Sequence, residues 1–126
     1  MSSTGGWIKL HRKIQDWQWY SDSNTFRLFI HLLLSANHKP QSWKGVVIGR
    51  GELATGRQSL SAQTGLSEQS VRTSLERLKS TNEITIKSTS KYSIVTIVNY
   101  DTYQFNDVEI NQQTNQQVTT NKNDNK

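Results

Sequence analysis

The chain has 126 residues, long enough for one domain with a sizeable core and too short for two ordinary ones. It has no cysteine, which removes structural disulfides, thiolate zinc sites and cysteine nucleophiles from consideration. The formal net charge is +5; residues 1–105 hold thirteen Lys/Arg against seven Asp/Glu, and residues 106–126 hold two against three, so the basic character belongs to the part expected to fold.

A basic balance attracts phosphate, anionic lipid and acidic proteins alike, so the arrangement of residues has to choose among them. No apolar run approaches the roughly 20 residues needed to span a bilayer. The start, Met1 to Gly6, lacks a charged region followed by an apolar one. The expectation is a cytoplasmic protein with no membrane partner.

Near the start, Trp7, Trp17, Trp19 and Tyr20 lie among Lys9, Arg12 and Lys13. Basic residues interleaved with aromatics stack on single-stranded bases in some proteins. Aromatics crowded near a terminus more often anchor that segment to the core or to a second subunit, and packing or dimerisation is expected here.

The first clear helix is predicted from about Thr25 to Asn37. Asp22, Ser23 and Asn24 offer N-cap oxygens, and Phe26, Phe29, Ile30, Leu33 and Leu34 recur at helical spacing. His38-Lys39-Pro40 is expected to stop it, since proline lacks an amide donor and disfavours helix in its predecessor. Val46 to Ala54 then reads as a small strand or hairpin around glycines, with Arg50 as a solubilising charge rather than a phosphate contact.

Arg57 to Leu78 reads as helix, turn, helix. Gly65 lies where the first helix must end in a left-handed residue, Leu66 plugs the corner, Ser67 caps the second helix, and Glu68 complements its positive end. In the second helix Val71, Leu75 and Leu78 share one face, predicted to be core. Gln69, Thr73 and Arg77 fall on the opposite face with Ser70 and Arg72 on its flanks, and these amide, hydroxyl and guanidinium groups are the kinds that read base edges and grip phosphates. Glu76 also points outward and opposes phosphate unless it pairs with Arg72 or Lys79.

Thr81-Asn82-Glu83 is predicted to turn, with Asn82 left-handed. Ile84 to Ser88 and Ser93 to Val98 read as two strands of a hairpin whose tip is Thr89 to Tyr92. A hairpin directly after a recognition helix is the wing of a winged helix. Lys87 and Lys91 on it have two readings: contact with the nucleic-acid backbone, or protection of an exposed strand edge. Beyond Phe105, residues Asn106 to Lys126 are rich in Asn, Gln, Thr, Asp and Lys and hold too little apolar surface to offset the entropy of ordering. A disordered tail or linker is expected for 106–126 and a single folded domain for 1–105.

Gly6-Trp7-Ile8-Lys9-Leu10-His11-Arg12-Lys13-Ile14, the Phe26 to Asn37 helix, Gly51-Glu52-Leu53, Thr64-Gly65-Leu66-Ser67 with Val71-Arg72 and Leu75 onward, and Val95 to Tyr100 with Tyr103-Gln104 occur in an order that resembles the N-terminal domain of phage replisome-organiser and DnaD-like primosomal proteins. The likeness covers roughly residues 6–104. It implies an α+β winged helix-turn-helix, a small helical bundle with a C-terminal β-hairpin wing, acting in phage or prophage replication initiation. It also implies double-stranded DNA, a homo-oligomer, and a replicative helicase or helicase loader as partners. Ser61 departs from the small apolar residue usual at its position, which a hydroxyl tolerates if it bonds back to a carbonyl.

No enzyme is expected. His11, His31 and His38 have no carboxylate arrangement suited to a metal, and Gly45, Gly49 and Gly51 lack the lysine and spacing of a phosphate-cradling loop, so neither metal nor cofactor is expected. The DNA-binding residues are expected to be Ser67, Gln69, Ser70, Arg72, Thr73, Arg77, Lys87 and Lys91. The competing expectations are a transcriptional regulator using the same face, and an interaction module with weak DNA contact.

Overall fold

The computed structural model describes residues 6–104, a mixed α+β arrangement whose helices pack beside two small antiparallel sheets. The expected boundary at Phe105 and the tail from Asn106 to Lys126 lie outside the described residues.

Helix α1 (Ser23–Ser35) starts two residues before Thr25 because the Asp22 carboxylate accepts the Thr25 N–H at 3.2 Å, the usual way an N-cap satisfies an orphan donor. It ends at Ser35, short of the expected Asn37 and upstream of Pro40. Asn37 is instead drawn into a loop-bridging network: its N–H donates to the Glu52 carbonyl, its carbonyl accepts from Gly51 N–H, and its side-chain amide donates to the Ile48 carbonyl. Those partners, rather than the proline, set the end of the helix.

The glycine-rich stretch after it divides between two sheets. β1 (Gln41–Trp43) and β2 (Val46–Ile48) form a hairpin of their own, whose turn residues Lys44 and Gly45 have φ of 49° and 79°. β3 (Glu52–Thr55) joins the other sheet, pairing antiparallel with β5.

Helix α2 (Arg57–Thr64) ends at Gly65, which sits at φ 80° as its place in the turn requires. Ser67 then caps α3 (Glu68–Ser80) by accepting the Ser70 N–H at 3.0 Å. At the far end Asn82 adopts φ 62°. The Glu83 N–H bonds to the Leu78 carbonyl and the Asn82 N–H to the Lys79 carbonyl, the paired bonds by which a left-handed residue closes a helix. The chain continues into β4 (Ile84–Ser88), β5 (Ser93–Ile97) and the short α4 (Tyr100–Tyr103). Strand order in the larger sheet is β3-β5-β4, with Ile86 opposite Val95 and Lys87 opposite Ile94.

The core joins Leu28, Phe29, Leu32 and Leu33 of α1 to Leu60, Val71 and Leu78 of the α2–α3 pair and to Ile84, Val95 and Ile97 of the sheet. Leu75, expected to be fully core, is only half-buried, because it faces the groove beside the hairpin. Ser74, not foreseen, is buried, and its hydroxyl pairs with that of Thr25 at 3.2 Å between α1 and α3. Two buried hydroxyls that satisfy each other avoid the cost of burying either alone.

The N-terminal segment is tied down by the same core. Trp17 packs against Phe29 with ring centroids 4.8 Å apart and donates its indole N–H to Glu83 at 2.9 Å, and Trp19 donates to the Thr81 hydroxyl at 3.0 Å. Gln104, buried, clasps the Lys9 backbone through both ends of its amide, at 2.8 and 2.9 Å. Trp17 and Trp19 therefore pack within the chain, whereas Trp7 is 89% exposed.

Candidate nucleic-acid interface

The orientation of α3 is set at the turn before it. Gly65 lets the chain reverse, the Ser61 hydroxyl crosses that turn to the Leu66 carbonyl at 2.6 Å, and Arg27 of α1 donates to the Thr64 carbonyl at 2.6 Å. Ser61 thus bonds forward across the turn rather than back along its helix, since Leu66 offers an acceptor that no helical N–H claims. Three elements therefore fix the angle at which α3 leaves the turn.

With its Val71, Ser74 and Leu78 side buried, α3 presents Gln69, Arg72 and Glu76 to solvent, with Thr73 beside them half-buried. Gln69 and Thr73, one turn apart, are joined by an amide-to-hydroxyl bond of 3.3 Å. Arg72 lies toward the hairpin and lines a groove with Arg57, Leu75, Glu76 and Lys79 on one side and Ile86, Ser88 and Ser93 on the other. Glu76 is paired with Lys79 at 3.6 Å, which partly offsets its charge. The acid sits in the C-terminal half of α3, so the N-terminal half presents only neutral and basic groups after Glu68.

The expected site residues divide among three positions. Gln69, Arg72 and Thr73 come together on the exposed N-terminal half of α3. Ser67 and Ser70 are occupied at its cap, where Ser67 both accepts the Ser70 N–H and donates to the Ser70 hydroxyl. Arg77 turns away from the groove toward α1, where its guanidinium pairs with Asp22. On the hairpin, residues alternate sides: Ile86, Ser88, Ser93 and Val95 face the α3 groove, which puts Lys87, opposite Ile94, on the other face. Lys91 is exposed in the tip, where the Thr89 hydroxyl oxygen accepts the N–H of both Lys91 and Tyr92.

Sequence reasoning passed over two basic residues. Arg57, the first residue of α2, reaches the α3 groove, and its signal was its place at the start of the helix-turn-helix. Lys44 lies in the β1–β2 turn, and nothing local in the sequence signals that this turn meets the second hairpin. Arg50 is not the solubilising charge expected. It pairs with Asp101, donates to the His38 and Gln104 carbonyls at 2.9 Å each, and lies 5.1 Å over the Tyr100 ring.

Two tyrosines near the base of the sheet are shifted. Burial pushes the Tyr103 hydroxyl above its ordinary range, and the neighbouring Glu83 carboxylate, which accepts its hydrogen bond, adds to this. Burial likewise raises Tyr100, against the lowering effect of Arg50. Among the described residues no cluster of His, Asp and Glu is arranged to hold a metal, and no helix is long and apolar enough to cross a membrane.

Compared with protein-family models, curated proteins and solved structures, the chain finds no match.

Proposed function

We propose that residues 6–104 act as a winged helix-turn-helix that binds double-stranded DNA, with α3 entering the major groove and the β4–β5 hairpin serving as the wing. The observation that carries this reading is the N-terminal half of α3, where Gln69 and Arg72 are exposed and Thr73 is half-buried beside them, on a helix fixed by the Gly65 turn. In helix-turn-helix docking the N-terminal residues of the second helix meet base edges, and amides and guanidiniums supply the donors and acceptors that read them. The element order, with β3 entering the hairpin sheet beside β5, and the excess of basic over acidic residues support the same reading.

Within that class, the particular role proposed is initiation of phage or prophage DNA replication, as a replisome-organiser-like protein that hands the site to a replicative helicase or helicase loader. Its support is the sequence resemblance over residues 6–104. The protein is taken to work in the cytoplasm as a non-enzymatic binder.

The test is fluorescence anisotropy with duplex DNA from the protein's own locus and with a scrambled duplex, each at two salt concentrations. Locus-selective binding that weakens steeply with salt, and that Arg72→Ala reduces by about tenfold, is expected for a base or phosphate contact of this kind. Equal weak binding to both duplexes overturns the reading.

One observation favours a second reading. Phe26 and Ile30, both part-exposed, and Leu34, 61% exposed, form a stripe along α1 at spacings of four residues. If that face serves self-association and DNA contact is secondary, sedimentation yields a dimer that Leu34→Ser dissociates, with DNA affinity unaffected by Arg72→Ala.

A further inference from the structure

The two hairpins meet at one end of the molecule. Trp43, the last residue of β1, packs edge-to-face against Tyr92 in the tip of the β4–β5 hairpin, with ring centroids 4.8 Å apart. The Lys44 ammonium lies 4.9 Å from the Trp43 ring centre. Lys44 is thus two ring contacts from the residue that follows Lys91. Lys87, on the hairpin face turned away from the α3 groove, belongs to the same side as Ile94.

The two hairpins carry charge of one sign: residues 41–48 and 84–97 contain three lysines, Lys44, Lys87 and Lys91, and no Asp or Glu. Glu52 of β3 lies opposite Thr96, away from the Ser93 end of β5 that leads to the tip, and its carboxylate accepts the Gly49 N–H at 2.8 Å and the Thr96 hydroxyl hydrogen at 3.1 Å.

Lys44 holds its charge at a conformational cost. It is one of two residues other than glycine with positive φ among the described residues, and with Gly45 it makes the doubly left-handed turn of a tight hairpin. Asn, Asp and Gly favour its position, and lysine does not. A left-handed, non-glycine residue in such a turn is an outlier whose side chain needs a reason.

We propose that the Lys44–Gly45 turn is a second phosphate-contacting tip, which grips the backbone of the same duplex beside the Lys91 tip and extends the footprint past α3. The inference rests on the duplex-binding reading above. A lysine in this place adds affinity and salt dependence without sequence choice.

The charge and the fold separate cleanly in Lys44→Asn, because asparagine suits the left-handed turn better than lysine. With the full chain and a locus duplex, Lys44→Asn is expected to melt no lower than wild type and to bind roughly three- to tenfold more weakly. The slope of log affinity against log salt is expected to fall in magnitude by about 0.9, one phosphate contact. Lys44→Arg is expected to retain wild-type affinity. Lys13→Asn serves as the control for net charge, since Trp17 and Trp19 pack that segment at Glu83 and Thr81, at the base of the β4–β5 hairpin rather than its tip.

Unchanged affinity and slope in Lys44→Asn, with Arg72→Ala impaired, overturn the second tip and leave the duplex reading standing. An equal loss in Lys13→Asn also overturns it, by making the effect one of overall charge. No salt-dependent duplex binding by the wild type overturns both.

Discussion

Arg77 of α3 is ion-paired with Asp22, the residue that caps α1, so one carboxylate both closes a helix and holds a second helix against it. Side-chain exposures of 46% and 20% leave the pair partly solvated, which limits its worth to about 1 kcal/mol. Arg77→Ala is therefore expected to lower unfolding free energy by about 0.5–1 kcal/mol, and Asp22→Ala, which also removes the cap, by about 1–2 kcal/mol. Urea denaturation measures both. DNA affinity is expected to fall less for Arg77→Ala than for Arg72→Ala; the reverse ranking means that Arg77 leaves Asp22 to reach DNA.

Among the described glycines, Gly51, just before β3, is the one where an added Cβ would meet the closest neighbour. At φ 78°, a Cβ there would lie 2.7 Å from the Tyr100 Cβ. Strain and overpacking act together, so Gly51→Ala is expected to destabilise by about 3 kcal/mol or more. Gly45 has a similar φ of 79° with nothing within 4 Å, so Gly45→Ala is expected to cost only about 1–2 kcal/mol. Thermal melts of the two variants separate strain alone from strain with a clash.

Trp17 tests what the N-terminal aromatics are for. Its indole bonds to Glu83, and its ring packs on Phe29. Trp17→Phe keeps a ring but removes the donor from a part-buried carboxylate, and about 1–2 kcal/mol of stability is expected to be lost. Sedimented mass is expected to stay that of the wild type. A change in mass with unchanged stability would place Trp17 in an interface between copies instead.

Much of this was legible because local chemistry sufficed. Gly65, Ser67 and Asn82 each announce a backbone state, and the spacing of Val71, Leu75 and Leu78 announces a buried side; the structure has all of these except that Leu75 is half-buried. What was not legible depends on partners distant in sequence. Asp22 lies 55 residues from Arg77, Asp101 lies 51 from Arg50, and the Trp43–Tyr92 contact joins two hairpins that no local pattern connects. Arg77 lies toward the α1 side of its helix, and the helical period cannot say that an acid waits there. The same holds for Lys87, whose side of the sheet follows from the register with β5. The end of α1 was misplaced for a related reason, since Asn37 is claimed by Glu52, Gly51 and Ile48.

Tyr103 gives the fold an alkaline limit whose sign follows from its surroundings. Burial, followed by Glu83, raises its hydroxyl above the ordinary tyrosine value of about 10. In the unfolded chain the hydroxyl ionises at its ordinary value, while in the folded protein it holds its proton to higher pH. The contribution is therefore fully present below pH 10 and is lost as pH rises through the folded value. Tyr100, raised by burial as well, acts in the same direction. The urea midpoint is expected to be level between pH 8 and 9 and to fall above pH 10. Tyr103→Phe keeps the ring against Phe29, whose centroid is 5.9 Å away, and removes the ionising group. A shallower alkaline decline in that variant is the expected result, and an identical decline would assign the limit to other groups.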